Sequence, residues 1–161
     1  MLVSRFVGLF GFILLVVSLV FPWFVVDTGV YVDRLTLADV KKAQDISRGI
    51  CIFFGWSDCP AENRGLPGYT PWVILLVMVL NLFGSFVPEL FMLSGFIGLL
   101  WSGIIYNDPA RMIAGDLSPL ANQVTRLDLG FYIFFASSLI LLVAGVIGLI
   151  ERFRRRREVY W

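Results

Sequence analysis

Cys51 and Cys59 are the only cysteines in the chain, and histidine is absent. A catalytic thiol needs a base to form its thiolate, and the commonest one is missing. A metal site would need further ligands, and only carboxylates are on offer. Two close cysteines outside the cytoplasm point instead to a disulfide, which stabilises a loop by ~2–3 kcal/mol in the chain-entropy model. Cys51–Cys59 is therefore expected to be a structural bridge, with no metal and no cofactor. Asp27, Asp58 and Asp108 are the carboxylates an outer active site would have to use. Nothing in their spacing requires them to converge, and the chain is expected not to be an enzyme.

A second group with chemistry is the cluster Arg152, Arg154, Arg155, Arg156 and Arg157, directly after an apolar run. Translocating these charges is costly, so the positive-inside rule places the C-terminus in the cytoplasm. Beside a membrane the same arginines contact anionic headgroups, each contributing ~1 kcal/mol. Nucleic acid is not an expected partner, because the cluster abuts the membrane and no folded basic domain accompanies it.

The elements that carry these groups are set by four uncharged apolar runs: Phe6–Val26, Pro71–Val87, Leu90–Tyr106 and Leu129–Ile150. A helical run of ~17–22 such residues crosses a hydrocarbon layer of ~30 Å. Hydrophobic residues make up 58% of the 161 residues and charged ones 16%, outside the range of a soluble domain. One membrane domain with four spans is expected. Its outer segments are 27–70 and 107–128, and a basic tail, 151–161, follows the last span. The outer segments are nearly balanced in charge and the C-terminus is basic, so both termini face the cytoplasm, with plasma membrane as the expected location. The first run exceeds a signal-peptide core and lacks a small-x-small site, so it reads as a retained anchor, with Trp23 at the headgroup interface. Gly84, Ser85 and Pro88 make the turn between the two central runs, and Glu89 complements the dipole of the next helix.

Polar residues within the runs are Ser18, Asn81, Ser94, Ser102, Ser137 and Ser138, and none is ionisable. Asn81 lies mid-span, where its amide is expected to bond a neighbouring helix; lining a transport path is the alternative. Small residues recur at helical spacing: Ser4, Gly8, Gly11 and Ser18 on the first run, Ser94, Gly98 and Ser102 on the third. Ser137, Ala144 and Gly148 do the same on the fourth. Such stripes let helix backbones approach closely in lipid.

Outside the spans, Phe24–Val32 has strand composition interrupted at Gly29, and Thr36 with Asp39 resembles a capping box opening a helix to about Gln44. Gly49–Phe54 is a strand candidate and Gly65–Gly68 is turn-rich. Asp108-Pro109 and Ser118-Pro119 are helix starts, the second helix reaching Leu127.

Trp23 follows the first span, and Gly55-Trp56-Ser57-Asp58-Cys59 precedes the second. This pattern resembles the Gly-x-Trp-x-x-Cys signature in the first extracellular loop of claudins and related tetraspan proteins. Here no residue separates Gly55 from Trp56, and Cys51 precedes the tryptophan. The resemblance implies a left-handed four-helix bundle, a small extracellular sheet with one loop disulfide, and a junctional or accessory role.

The expected fold is thus all-α: a four-transmembrane-helix bundle under a small disulfide-pinned extracytoplasmic cap with short strands and a helix. The expected function is non-catalytic, through helix packing and cap contacts, as a homo-oligomer or an accessory subunit of a membrane complex. The alternative is a small oligomeric channel or transporter with Asn81 and the span serines lining its path.

Overall fold

Pro22 keeps the first apolar run from being one helix. Proline has no N–H to continue the ladder, and α1 (Leu2–Val20) ends just before it. The run expected to cross to Val26 therefore divides, and its last residues form β1 (Phe24–Asp27). A computed structural model describes residues 2–27, 29, 32–39, 66–109 and 125–159. After β1 come β2 (Val32–Leu35), α2 (Leu66–Gly84), α3 (Glu89–Asn107), β3 (Thr125–Leu127) and α4 (Leu129–Val159).

The three strands form one antiparallel sheet in the order β2-β1-β3. Phe24–Val32, expected as one interrupted strand, holds β1 and only the first residue of β2, and between them Gly29 has a φ of 77°, in the left-handed region. The Asp27 carboxylate accepts the Gly29 N–H at 2.9 Å and tightens the turn. Thr125–Leu127, expected to close a helix, is instead the strand opposite Phe24–Val26. Local apolar spacing suits either state; the free edge of β1 decides for a strand. Opposed residues share a face, so Phe24, Leu35 and Leu127 form one row, and all three pack with the bundle core.

Thr36 and Asp39 do form a reciprocal cap. Asp39 Oδ2 accepts the Thr36 N–H at 3.0 Å, and Thr36 Oγ1 accepts the Asp39 N–H at 3.3 Å. The helix they open begins at Leu37, and its expected continuation lies outside the described residues. So do the Gly49–Phe54 strand candidate, Cys51, Cys59 and the Ser118-Pro119 helix start. α2 begins at Leu66, so most of the segment expected as a turn, Gly65–Gly68, is helical. Pro67 is compatible with that because N–H groups in a first turn have no partner anyway.

The helices run alternately up and down. α1 packs against α4, α4 against α3, and α3 against α2, while α2 meets α1 along a smaller contact. The sheet covers one end of the bundle. The turn between α2 and α3 lies at the other, with the start of α1 and the basic end of α4. Α4 does not stop at Ile150 but continues through the arginines to Val159. Among the described residues, three helices are long and apolar enough to cross a membrane: α1, α3 and α4; the apolar part of α2 is shorter, Tyr69–Gly84.

The radial pattern is that of a protein in lipid. Phe6, Phe10, Leu75, Leu82, Phe96 and Val143 point outward, whereas Ser18, Asn81, Ser94, Ser102, Ser137 and Ser138 are all buried. In lipid, large apolar side chains are at no disadvantage outside, and polar ones gain by finding partners inside.

Candidate functional site

The sequence-predicted packing residues converge on two seams inside the bundle. Phe91 is the centre of the first. Its ring is buried, and it fills the space left by two glycines on different helices. A Cβ at Gly8 of α1 would lie 2.5 Å from the Phe91 ring, and one at Gly84 of α2 2.6 Å from it. One aromatic side chain of α3 thus reaches both α1 and α2, and only glycine leaves room for it. Further along α1, a Cβ at Gly11 would meet Leu141 of α4 at 3.0 Å.

The second seam joins α3 and α4 backbone to backbone. A Cβ at Gly95 would lie against Leu142 N and 2.6 Å from Ser138 O; one at Gly145 would lie against the backbone of Met92. Gly98 meets the Ser138 hydroxyl, and Gly148 meets Pro88 in the turn. Sequence reading singled out Ser94, Gly98 and Ser102, and Ser137, Ala144 and Gly148, all of which are buried. It took Gly84 only as a turn residue and passed over Gly95 and Gly145, yet all three meet a neighbouring helix closely. The overlooked signal is spacing: Gly95–Gly98 and Gly145–Gly148 are matched pairs three residues apart, so both fall on one helix face.

Polar side chains in the core are mostly spent on their own helices. Ser18, Ser102 and Ser138 donate to the carbonyls of Leu15, Gly98 and Phe134 at 2.6, 2.8 and 2.9 Å. Asn81, expected to bond another helix, donates to Val77 O of α2 itself at 2.8 Å. The carbonyl one turn back is always within reach, so it wins. Ser94 does bond across helices: its hydroxyl donates to the same Val77 O at 3.4 Å. Asn81 Oδ1 and Ser137 Oγ, both buried, have no hydrogen-bond partner.

At the sheet end, Trp23 is not at a headgroup interface as expected but fully enclosed. Its ring lies edge-on to Phe131 at 6.3 Å and tilted against Phe134 at 5.0 Å. Backbone bonds fix it from both sides: Trp23 N–H donates to Leu35 O at 2.9 Å, and Trp23 O accepts Asp128 N–H at 2.8 Å. Gly130 N–H donates to Pro22 O at 2.7 Å, and a Cβ there would lie 2.5 Å from the indole. Asp128 caps α4 by accepting the Leu129 N–H at 2.8 Å.

At the opposite end, Glu89 in the first turn of α3 forms an ion pair with Arg152. Ser4 Oγ donates to Glu151 at 3.3 Å, linking α1 to α4. Arg154 and Arg155 are exposed, and the side chains of Arg156 and Arg157 lie outside the described residues. Of the carboxylates weighed for chemistry, Asp27 holds the hairpin turn, Asp108 follows α3, and Asp58 lies outside the described residues. Among the described residues no three acidic, cysteine or histidine side chains gather as a metal site.

No protein-family model matches this sequence, and no curated protein matches it.

Proposed function

We propose that this chain is a non-catalytic, four-span integral membrane protein that works through contacts of its outer cap and its lipid-facing helices. It acts as a homo-oligomer or as an accessory subunit of a larger membrane complex. The observation that carries this reading is that the span residues Ser18, Asn81, Ser94, Ser102, Ser137 and Ser138 are all buried inside the bundle and most of them are hydrogen-bonded there. Their hydrogen bonds run mainly to their own backbones, and the α3–α4 seam is too close for a methyl group, leaving no polar path between those two helices.

Four crossings are supported by the aromatic residues around the sheet end. Exposed Phe21, Tyr69 and Trp72, Tyr106 and Tyr132 stand at that end of α1, α2, α3 and α4 respectively. Tyrosine and tryptophan favour the membrane interface, so α2 begins at the same boundary as its longer neighbours. Arg5, Arg152, Arg154 and Arg155 mark the other boundary, which the positive-inside rule makes cytoplasmic. Both termini then face the cytoplasm of a plasma-membrane protein, the arginines meet anionic headgroups, and the sheet carries a claudin-like outer cap pinned by Cys51–Cys59.

A pore built from several copies is the competing reading. It is favoured by the buried Asn81 Oδ1, an acceptor with no donor. Reconstitution in liposomes separates the two: the proposal expects no ion or solute flux and partner chains or further copies in a mild-detergent purification. Flux through the purified chain alone would overturn it. Reporter fusions at Trp161 and within 61–66 should report opposite sides, and matching sides would overturn the four-span topology.

A further inference from the structure

The turn between α2 and α3 stops short of the charged end of α4. Pro88 rests on Gly148, where an added Cβ would run into its ring. Beyond Gly148, α4 runs a further ~7.5 Å to Phe153 and ~9 Å to Arg154, at ~1.5 Å per residue. Ile150 and Phe153 are exposed along that stretch, so apolar surface continues past the level of the turn. The headgroup layer on each side of a bilayer is only ~5–8 Å thick. With Arg154 among the headgroups, the turn therefore lies at their base. α2 agrees from its own side, because its apolar part, Tyr69–Gly84, spans only ~24 Å. A hydrocarbon layer of ~30 Å that begins at Tyr69 extends beyond Gly84.

The chemistry of the turn suits that place. Phe83, Phe86 and Val87 are exposed, and Phe86, at 77%, is the most exposed large apolar side chain described. Ser85 is the single polar side chain of residues 85–88 and carries no charge. The backbone donors are met internally. Phe86 N–H and Val87 N–H both donate to Phe83 O, at 2.9 and 3.1 Å. Leu90 N–H donates to Val87 O at 2.9 Å and Phe91 N–H to Pro88 O at 3.1 Å, while Pro88 itself has no N–H. Few backbone groups are left that need water, as a site beside hydrocarbon requires. Glu89, the next residue, is neutralised by Arg152. Arg5 stands near the same level, since Ser4 also lies beside Gly148, and its long stem carries the guanidinium out to the headgroups.

We infer that the α2–α3 turn is a lipid anchor. Its backbone sits at the base of the cytoplasmic headgroup layer, and Phe83, Phe86 and Val87 project among the acyl chains. Their partner is lipid, continuous with the lipid around the helices, and no loop between α2 and α3 reaches the cytoplasm. On that side only the ends of α1 and α4 stand clear, so a soluble partner meets the protein there.

This rests on the four-span reading and is tested separately from it. Phe86→Cys and, on the extension of α4, Arg155→Cys are each labelled with bimane in the full-length protein and reconstituted in phosphatidylcholine vesicles. The unsubstituted chain, with Cys51 and Cys59, supplies the background. Two quenchers are compared: phospholipid brominated along its acyl chains, and iodide present on both sides of the membrane. At position 86 the brominated lipid should quench strongly, and iodide about a tenth or less as much as at 155, because a bare ion is kept out of hydrocarbon. Val87→Cys should read as 86 does and serves where Phe86→Cys does not fold. Iodide quenching at 86 equal to that at 155 would put the turn in water, and quenching by neither agent would mean that protein covers it. Either result overturns the anchor. The reporter fusions decide the spans independently: opposite sides with a wet turn remove the anchor and leave four spans standing.

Discussion

The indole N–H of Trp23 donates to the backbone carbonyl of Ser18 at 2.7 Å, in a fully buried position. In an uninterrupted helix that carbonyl would accept the N–H of residue 22, which is proline and has none. Trp23 thus supplies the donor its predecessor lacks. The same side chain closes α1, seats the sheet and packs on α4.

Trp23→Phe keeps the ring but removes the donor, leaving a buried carbonyl unpaired. The expected loss is ~1–3 kcal/mol. Denaturant unfolding in detergent micelles should show it, and an unchanged midpoint would mean that water serves the Ser18 carbonyl.

Gly95→Ala and Gly103→Ala make a matched pair on one helix. A methyl at 95 meets the backbone of α4, which cannot rotate away, and should destabilise by ~1–3 kcal/mol. A methyl at 103 meets nothing within 4 Å and should be neutral or slightly stabilising. Gly98→Ala falls between, because the Ser138 hydroxyl in its way is a side chain able to turn. Comparable melting of all three variants would remove the seam as a stabilising contact.

Gly84→Ala should be costly only while Phe91 keeps its ring. In a double-mutant cycle with Phe91→Leu, the combined loss should fall short of the sum by ~0.5–3 kcal/mol. Strict additivity would show that the ring moves aside at little cost.

Cys51 and Cys59 should be oxidised in the mature protein. A thiol-reactive mass tag should add nothing before reduction and two labels after it. Two labels without reductant would remove the proposed pin on the cap.

How much of this was legible beforehand follows from what each feature depends on. The apolar runs, the break at Pro88 and the Thr36–Asp39 cap are local; so is the break at Pro22, which the reading of Phe6–Val26 as one span missed. In lipid every backbone group must be satisfied within its own segment, so helix formation shows in a single stretch of sequence. Even the inward turn of the small residues could be read from their spacing. What tertiary structure decided is which of them matter. Spacing pairs Gly95 with Gly98 and Gly145 with Gly148 but does not say what each pair faces; Gly95 and Gly145 face a backbone, and Gly103 faces open space. Apolar character cannot rank them, since lipid is as apolar as the helices; only shape complementarity across the seam does. The same holds for Thr125–Leu127, which is a strand because β1 offers an edge from a hundred residues earlier, about the span that folding must close. Trp23 is enclosed, not interfacial, because Phe131 and Phe134 arrive from the last helix. Local chemistry determined the helices, and contacts distant in sequence determined how closely they meet.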